Sequence, residues 1–293
     1  MGDIERCEIL VLSPHLDDAV FSCAGFLLDA IEKGQSVTVA TMFTDGRRGD
    51  QYFAQRRAED ERALNSLGAQ LVWCGFVDAS ARFQDANLCT SAPEPELQRL
   101  LLNKAESLLS AAQPRTLLLP LGVGAHVDHL SLHEVVAISS GDLDVLFYEE
   151  RPYVFRPAAL ISRLFDLGLV PNIGIGSNLC SELDLREFVQ SKIQDDSANN
   201  ATTDLRAVLR FASCLKTDVP SNANIFNVVH IAGEDARTRI AELAQLYSSQ
   251  FAETFGSLHS WKENCSNYSR LIGSEHQYGE RYWRHRSNGI QIS

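Results

Sequence analysis

The first half of the chain alternates between two residue patterns, and that alternation restricts the fold more than any other feature of the sequence. Short runs rich in Val, Ile and Leu occur at Cys7–Leu12, Ser36–Phe43, Leu71–Phe76, Thr116–Leu121 and Leu143–Tyr148. They are nearly continuously apolar, the pattern of strands covered on both faces. Segments with helical spacing lie between them at Ala19–Lys33, Ala54–Leu67, Glu94–Ala112 and Leu130–Ser140. Gly34, Gly68 and Gly141 stand where three of these helices should end. Strand and helix in turn predict an α/β fold: a Rossmann-like, mostly parallel sheet flanked by helices.

Beyond about residue 150 the pattern changes. Arg151-Pro152 and Arg156-Pro157 punctuate an irregular stretch, followed by amphipathic segments at Glu182–Gln194, Thr203–Leu215 and Gly233–Phe255 and a polar loop at Asp195–Thr203. Residues 1–150 are therefore expected to form the α/β core, and residues 151–293 a mainly helical C-terminal extension packed on it. One domain built from both is the alternative. The seven cysteines are scattered and form no CxxC pair, which fits free thiols in a reducing compartment. A net charge of −12 disfavours a nucleic-acid binder that tracks phosphates with a basic face. Neither a basic-then-apolar leader nor a run of about 18 apolar residues is present. The expected setting is cytoplasmic, with no membrane span and no nucleic-acid partner; composition leaves the oligomeric state open.

Chemistry concentrates in two short segments. Pro14-His15-Leu16-Asp17-Asp18 falls where the first strand should end and the first helix begin; His126-Val127-Asp128-His129 follows the fourth strand. Both lie at strand-to-helix junctions, the edge at which open α/β sheets build their sites. His15 and Asp18, three residues apart across a turn, can converge on one ion. Two histidines and a carboxylate with open positions left are the donor set of a catalytic zinc site. Asp17 and Asp18 are equally suited to cap the following helix. His133, one turn beyond His129, reads as a helix-face residue rather than a fourth ligand.

PHLDD followed by HVDH resembles the paired motifs of the PIG-L/LmbE-like N-deacetylases, over most of residues 7–150. The resemblance implies a Zn²⁺-dependent enzyme, with Fe²⁺ suiting the same donors, that hydrolyses an N-acetyl or other N-acyl amide on an amino-sugar-containing small molecule, giving a free amine and acetate. Position by position it implies His15, Asp18 and His129 as metal ligands and Asp17 as general base. It further implies His126 as the group facing the oxyanion and Asp128 as the residue that orients it; beside Asp128, His126 is expected to be an imidazolium. Arg56, in Arg56-Arg57-Ala58-Glu59, is similar to an arginine that reaches sugar hydroxyls, and Asp78 to an aspartate of like role. Read from the residues alone, Arg56 can equally pair with Glu59 or Asp60 on the helix face, and Asp78 can be a turn residue. Thr44–Phe53 resembles a polar loop after the second strand. Tyr247-Ser248-Ser249-Gln250 and Gly279-Glu280-Arg281-Tyr282-Trp283 resemble pieces of longer bacterial members. Tyr282 and Trp283 suit either anchoring of the tail or walling of the pocket. Two positions depart from the pattern: Ala19 replaces a frequent glutamate, and Gly124 stands where some relatives carry a tyrosine.

Two readings compete with a deacetylase. A non-catalytic sugar- or nucleotide-binding α/β module lacks support, because no GxGxxG follows the first strand and such a module has no use for Asp17 beside a metal set. A serine hydrolase lacks its GxSxG elbow. The acidic balance also suits an amine-rich product of the aminoglycoside type.

Overall fold

The computed structural model describes residues 4–46, 51–83, 88, 93–135, 143–167, 225–274 and 278–285. The expected segments Glu182–Gln194, Asp195–Thr203 and Thr203–Leu215, together with Gly141, lie outside the described residues.

Five strands alternate with helices along the first half. They are β1 (Ile9–Ser13), β2 (Val37–Asp45), β3 (Gln70–Val77), β4 (Thr116–Pro120) and β5 (Asp144–Tyr148). Between them run α1 (Asp18–Glu32), α2 (Gln51–Leu67), the short α3 (Ala79–Arg82), α4 (Pro95–Ala112) and α5 (Val127–His133). Each of the first four α/β segments falls within a few residues of its sequence pattern. Gly34 and Gly68 take φ of +79° and +92°, the left-handed conformation in which glycine ends a helix without a Cβ penalty.

Beyond β5, the described residues add α6 (Pro157–Asp166), β6 (Ile225–Ala232), α7 (Glu234–Gln245), α8 (Ser248–Phe255), α9 (Leu258–Leu271) and β7 (Tyr278–His285). The C-terminal half is thus helical between 234 and 271, and it also contributes two strands, β6 and β7, that the expectation of a mainly helical extension did not include. The sheet order is β3-β2-β1-β4-β5-β7-β6. The first five strands are parallel; β7 pairs antiparallel with both β5 and β6. The Gly233–Phe255 pattern resolves into two helices that meet at Tyr247.

Strand residues alternate between two cores. Ile9 and Val11 face a layer formed by α1, α2, α7 and α8, whereas Leu10 and Leu12 face α4, α5 and α6. Tyr282 packs in the first core and Trp283 in the second, so these residues anchor the tail and neither borders the cleft described below. Among the described residues, no helix is long and apolar enough to cross a membrane.

The C-terminal strands grip α1, the helix that follows the first motif. Glu280 accepts hydrogen bonds from the backbone N–H groups of Gly25 and Phe26 at 2.8 and 2.9 Å and from the Tyr282 hydroxyl at 2.7 Å. Arg151 donates to the carbonyl of Ser22 at 2.9 Å and to that of Gly279 at 2.8 Å. Gly25 permits this approach, because a Cβ there would stand 3.0 Å from Glu280 Oε1 and 3.2 Å from the Ala232 methyl. Removing the carboxylate by Glu280→Ala strands two buried main-chain donors and a phenol. It should cost about 3 kcal/mol or more in unfolding free energy, read from urea denaturation.

Candidate active site

The sheet order reverses between β1 and β4, and the crevice outside the carboxyl ends of two such strands is where open α/β sheets hold ligands. His15 and Asp17 leave the end of β1, residues 121–126 leave the end of β4, and Asp78 immediately follows β3. The parallel register carries both motifs to this one edge. His15, Asp17, Asp18, Arg56, Asp78, His126, Asp128 and His129 all converge there, and all are buried. Six of them line a cleft of about 340 Å³; Asp128 and His129 lie beneath its floor.

The deepest feature is a triangle of donor atoms. His15 Nδ1 and Asp18 Oδ2 are 3.1 Å apart, His129 Nε2 and His15 Nδ1 3.2 Å, and His129 Nε2 and Asp18 Oδ2 3.3 Å. Ligands of a tetrahedral Zn²⁺, bound at about 2.0–2.1 Å, lie roughly 3.3 Å from one another. The donor set therefore fits such an ion in kind and in spacing. Each ring is braced from behind. His15 Nε2 meets Asp128 Oδ2 at 3.1 Å and His129 Nδ1 meets Glu150 Oε1 at 3.2 Å. A carboxylate behind a ligating imidazole fixes the tautomer that leaves the other nitrogen's lone pair for a metal. His133 lies outside this triangle, stacked on Phe147 with its Nδ1 3.0 Å from the Pro120 carbonyl oxygen.

Electrostatics agree with that fit. Burial works to lower the pKa of His129, yet Asp18 and Glu150 raise it to about 9. His15 follows the same pattern: burial opposes its charge, and Asp78, Asp128 and Asp18 carry its pKa well above the ordinary imidazole range. Burial would raise Asp18, but His129 and His15 hold it well below the usual carboxylate range. A site that keeps two imidazoles cationic has the negative charge to exchange those protons for a divalent cation.

Asp17 occupies the N-cap position of α1 but makes no side-chain capping bond. Its Oδ2 instead lies 3.2 Å from Arg56 Nη2. Burial raises its pKa, with Arg56 opposing. Arg56 also comes within 3.9 Å of Asp78 and packs its guanidinium over Phe53 at 5.6 Å from the ring centroid. Asp78 serves in two ways. Its Oδ1 caps α3 through the N–H of Ser80 at 2.8 Å, and its Oδ2 faces His15 Nε2 at 3.5 Å.

His126 and Asp128 are arranged differently from what the resemblance implies. His126 Nδ1 accepts the backbone N–H of Asp128 at 3.3 Å, which leaves the proton on Nε2. Burial, with His15 and His129 adding to it, lowers its pKa to about 3, so the expected imidazolium is a neutral imidazole. The Asp128 carboxylate turns to His15, to Arg82 at 2.7 Å and to the N–H of Ala79 at 2.9 Å. It meets His126 through its main chain. Gly124, at φ +85°, leaves room for the ring of Tyr153: a Cβ there would collide with Tyr153 Cδ1. Tyr153 borders the cleft and lies edge-on to His129 at 5.6 Å between ring centroids.

The outer wall comes from α8, through Gln250, Glu253 and Thr254. Arg56 does not pair with Glu59 or Asp60, which instead hold this wall. Glu59 accepts from the Ser248 hydroxyl at 2.8 Å, the Ser249 hydroxyl at 2.6 Å and the Ser249 N–H at 3.1 Å. Asp60 accepts from the Tyr247 hydroxyl at 2.8 Å. Sequence reasoning missed Glu150, Tyr153, Glu253 and Thr254, and it quoted Gln250 only within Tyr247-Ser248-Ser249-Gln250, without a place in the site. Glu149-Glu150 at the end of the fifth apolar run was the one available signal, since a strand's carboxyl end is a site position.

Fold and site together define an α/β protein with a buried histidine–aspartate metal-type centre at its topological switch point. Residues 10–139 match the family model described as PIG-L, GlcNAc-PI de-N-acetylase. The chain is 32% identical over 230 residues to a 2'-N-acetylparomamine deacetylase of Streptomyces fradiae, covering 71% of this chain and 79% of the relative. It is 28% identical over 190 residues to the enzyme of the same name from Niallia circulans, covering 51% of this chain and 68% of the relative. A solved deacetylase of the A40926 pseudoaglycone shares the fold with a TM-score of 0.62 at 18% identity, over 95% of this chain and 97% of that one. The chain belongs to the PIG-L family of de-N-acetylases.

If Glu150 orients His129, Glu150→Gln should weaken divalent-metal affinity by about 10- to 100-fold. Competition with a chelating dye measures this, and unchanged affinity would contradict the bracing role.

Proposed function

We propose that the protein removes the acetyl group from an N-acetylated amino sugar in a small molecule of the aminoglycoside type, releasing a free amine and acetate. The triangle of His15, Asp18 and His129 with Asp17 directly beside it carries this reading; the acetylparomamine deacetylases among its relatives support the substrate class. His15, Asp18 and His129 would hold the metal, Zn²⁺ in the first instance, with Fe²⁺ accepted by the same nitrogen and oxygen donors. A bound ion of this kind polarises a carbonyl and acidifies water.

The remaining roles fall to side chains of the cleft. Asp17 takes the proton of the attacking water and later delivers a proton to the departing nitrogen. Its buried position raises its affinity for that proton, and Arg56 at 3.2 Å keeps the carboxylate available between the two transfers. His126, with Nδ1 engaged by the N–H of Asp128, presents Nε2–H to the carbonyl oxygen as it gains negative charge. A neutral donor suffices there, since one such hydrogen bond is worth ~3 kcal/mol in the transition state. Arg56 and Asp78 face the cleft where sugar hydroxyls would lie. Glu150 and Asp128 act one step removed, by fixing His129 and His15.

Primary-amine release from a panel of N-acetylated amino sugars tests the reading. Asp17→Asn should retain metal and lose about 10²- to 10⁴-fold in kcat; undiminished turnover would remove the general-base assignment. His126→Ala should lose about 10²-fold in kcat with KM little changed, the signature of an interaction made in the transition state.

A further inference from the structure

The ring of His15 is held from behind by Asp128, and the grip on that carboxylate comes from one short helix. Asp128 is 0% exposed. Its Oδ2 meets His15 Nε2 at 3.1 Å and accepts the N–H of Ala79 at 2.9 Å, while its Oδ1 accepts Arg82 Nη2 at 2.7 Å. Ala79 and Arg82 are the first and last residues of α3, so four consecutive residues clamp both oxygens. The same turn places a second carboxylate on His15. Asp78 caps α3 and faces His15 Nε2, and Arg82 Nη1 donates to the carbonyl of Val77, the residue before Asp78.

The guanidinium is itself anchored. Its Nε donates to Glu94 Oε2, just ahead of α4, at 2.9 Å, and it lies over the ring of Phe43 at 5.2 Å from the centroid. Phe43 in turn stands 6.0 Å from the ring of His15. All three guanidinium nitrogens are thus engaged, each on a different segment, which suits the rigid fork of an arginine and not the single point donor of a lysine. The tie to Glu94 is partly exposed and is worth little by itself. The tie to Asp128 is different, because a buried carboxylate that loses its cation is left uncompensated.

We infer that Arg82 is a positioning residue of the site: it fixes the Asp128 carboxylate and, through it, the ring of His15. The inference rests on the metal-centre reading for its consequence, since a ligand whose outer partner is displaced binds its ion less well. Arg82 does not line the cleft and takes no part in proton transfer or substrate contact. Its effect reaches the donor triangle along Arg82, Asp128 and His15, a chain of contacts of 2.7 and 3.1 Å.

Two measurements on the full chain test this: Zn²⁺ affinity by competition with a chelating dye, and the histidine ring N–H protons of the metal-free protein by NMR. Arg82→Met should weaken Zn²⁺ binding about tenfold, and Arg82→Lys should recover part of the loss. Glu94→Gln, which cuts only the tie toward α4, should leave affinity unchanged. In an Asp128→Asn background Arg82→Met should add little further loss, because the path it acts through is already cut; a general loosening of the fold would weaken binding by the same factor in both backgrounds. In the metal-free wild type the His15 Nε2–H proton, sheltered in its bond to Asp128, should exchange slowly and give a resolved resonance that Arg82→Met removes. Zn²⁺ affinity unchanged in Arg82→Met, or lowered equally with and without Asp128, would overturn the positioning role and leave the metal centre standing. A wild type that takes up no metal would contradict the metal centre, and the resonance then decides the rest: its loss in Arg82→Met supports the positioning role, and its persistence overturns it.

Discussion

The arrangement depends on a concentration of buried negative charge at the carboxyl edge of the sheet. Asp17, Asp18, Asp78, Asp128 and Glu150 are all buried within one neighbourhood. Isolated charges of this kind are too costly to bury, and they persist only when paired or when they coordinate a metal. Arg56 and Arg82 balance part of the cluster. The rest falls on His15 and His129, whose outward nitrogens meet Asp18 in a triangle of about tetrahedral spacing. The same carboxylates that make the imidazoles basic thus hold a donor set suited in kind and spacing to a divalent cation, with Asp17 directly beside it.

The fold supplies this geometry through two devices. Parallel strands with a reversal between β1 and β4 bring residues more than a hundred positions apart to one edge. The C-terminal half then fixes that edge from outside. Glu280 and Arg151 hold α1, at whose start Asp17 and Asp18 stand, and the Glu59–Asp60 pair of α2 holds α8. The Arg56-Arg57-Ala58-Glu59 segment thus serves the site twice: Arg56 points inward to Asp17, and Glu59 seats the helix that walls the cleft. The serines of Tyr247-Ser248-Ser249-Gln250 are the other half of that contact.

Much of this was legible in the sequence because it is local. The five apolar runs and their intervening helices follow from periodicity, and the His–Asp motifs sit at junctions that any parallel α/β sheet brings together. The strand β7 was hidden, because the charges of Gly279-Glu280-Arg281-Tyr282-Trp283 are satisfied only in the fold, Glu280 on α1 and Arg281 on Glu149; β6, the apolar and β-branched run Ile225–Ala232, was legible and was passed over. Glu150 and Tyr153 belong to no motif; their roles arise from where β5 ends and from the space that Gly124 leaves. The charge state of His126 also escaped, since a neighbouring Asp128 in sequence suggests an ion pair and only the tertiary fold sends that carboxylate to His15. Isolated residues placed by tertiary structure carry no spacing signal.

The most direct measurement is elemental analysis of the purified full chain, before and after incubation with Zn²⁺ or Fe²⁺, alongside His129→Ala. About one divalent ion per chain is expected, retained through gel filtration by the wild type and lost by the variant. Absence of stoichiometric metal after loading, or full retention without His129, would mean that the triangle at the end of β1 and β4 is not a metal centre.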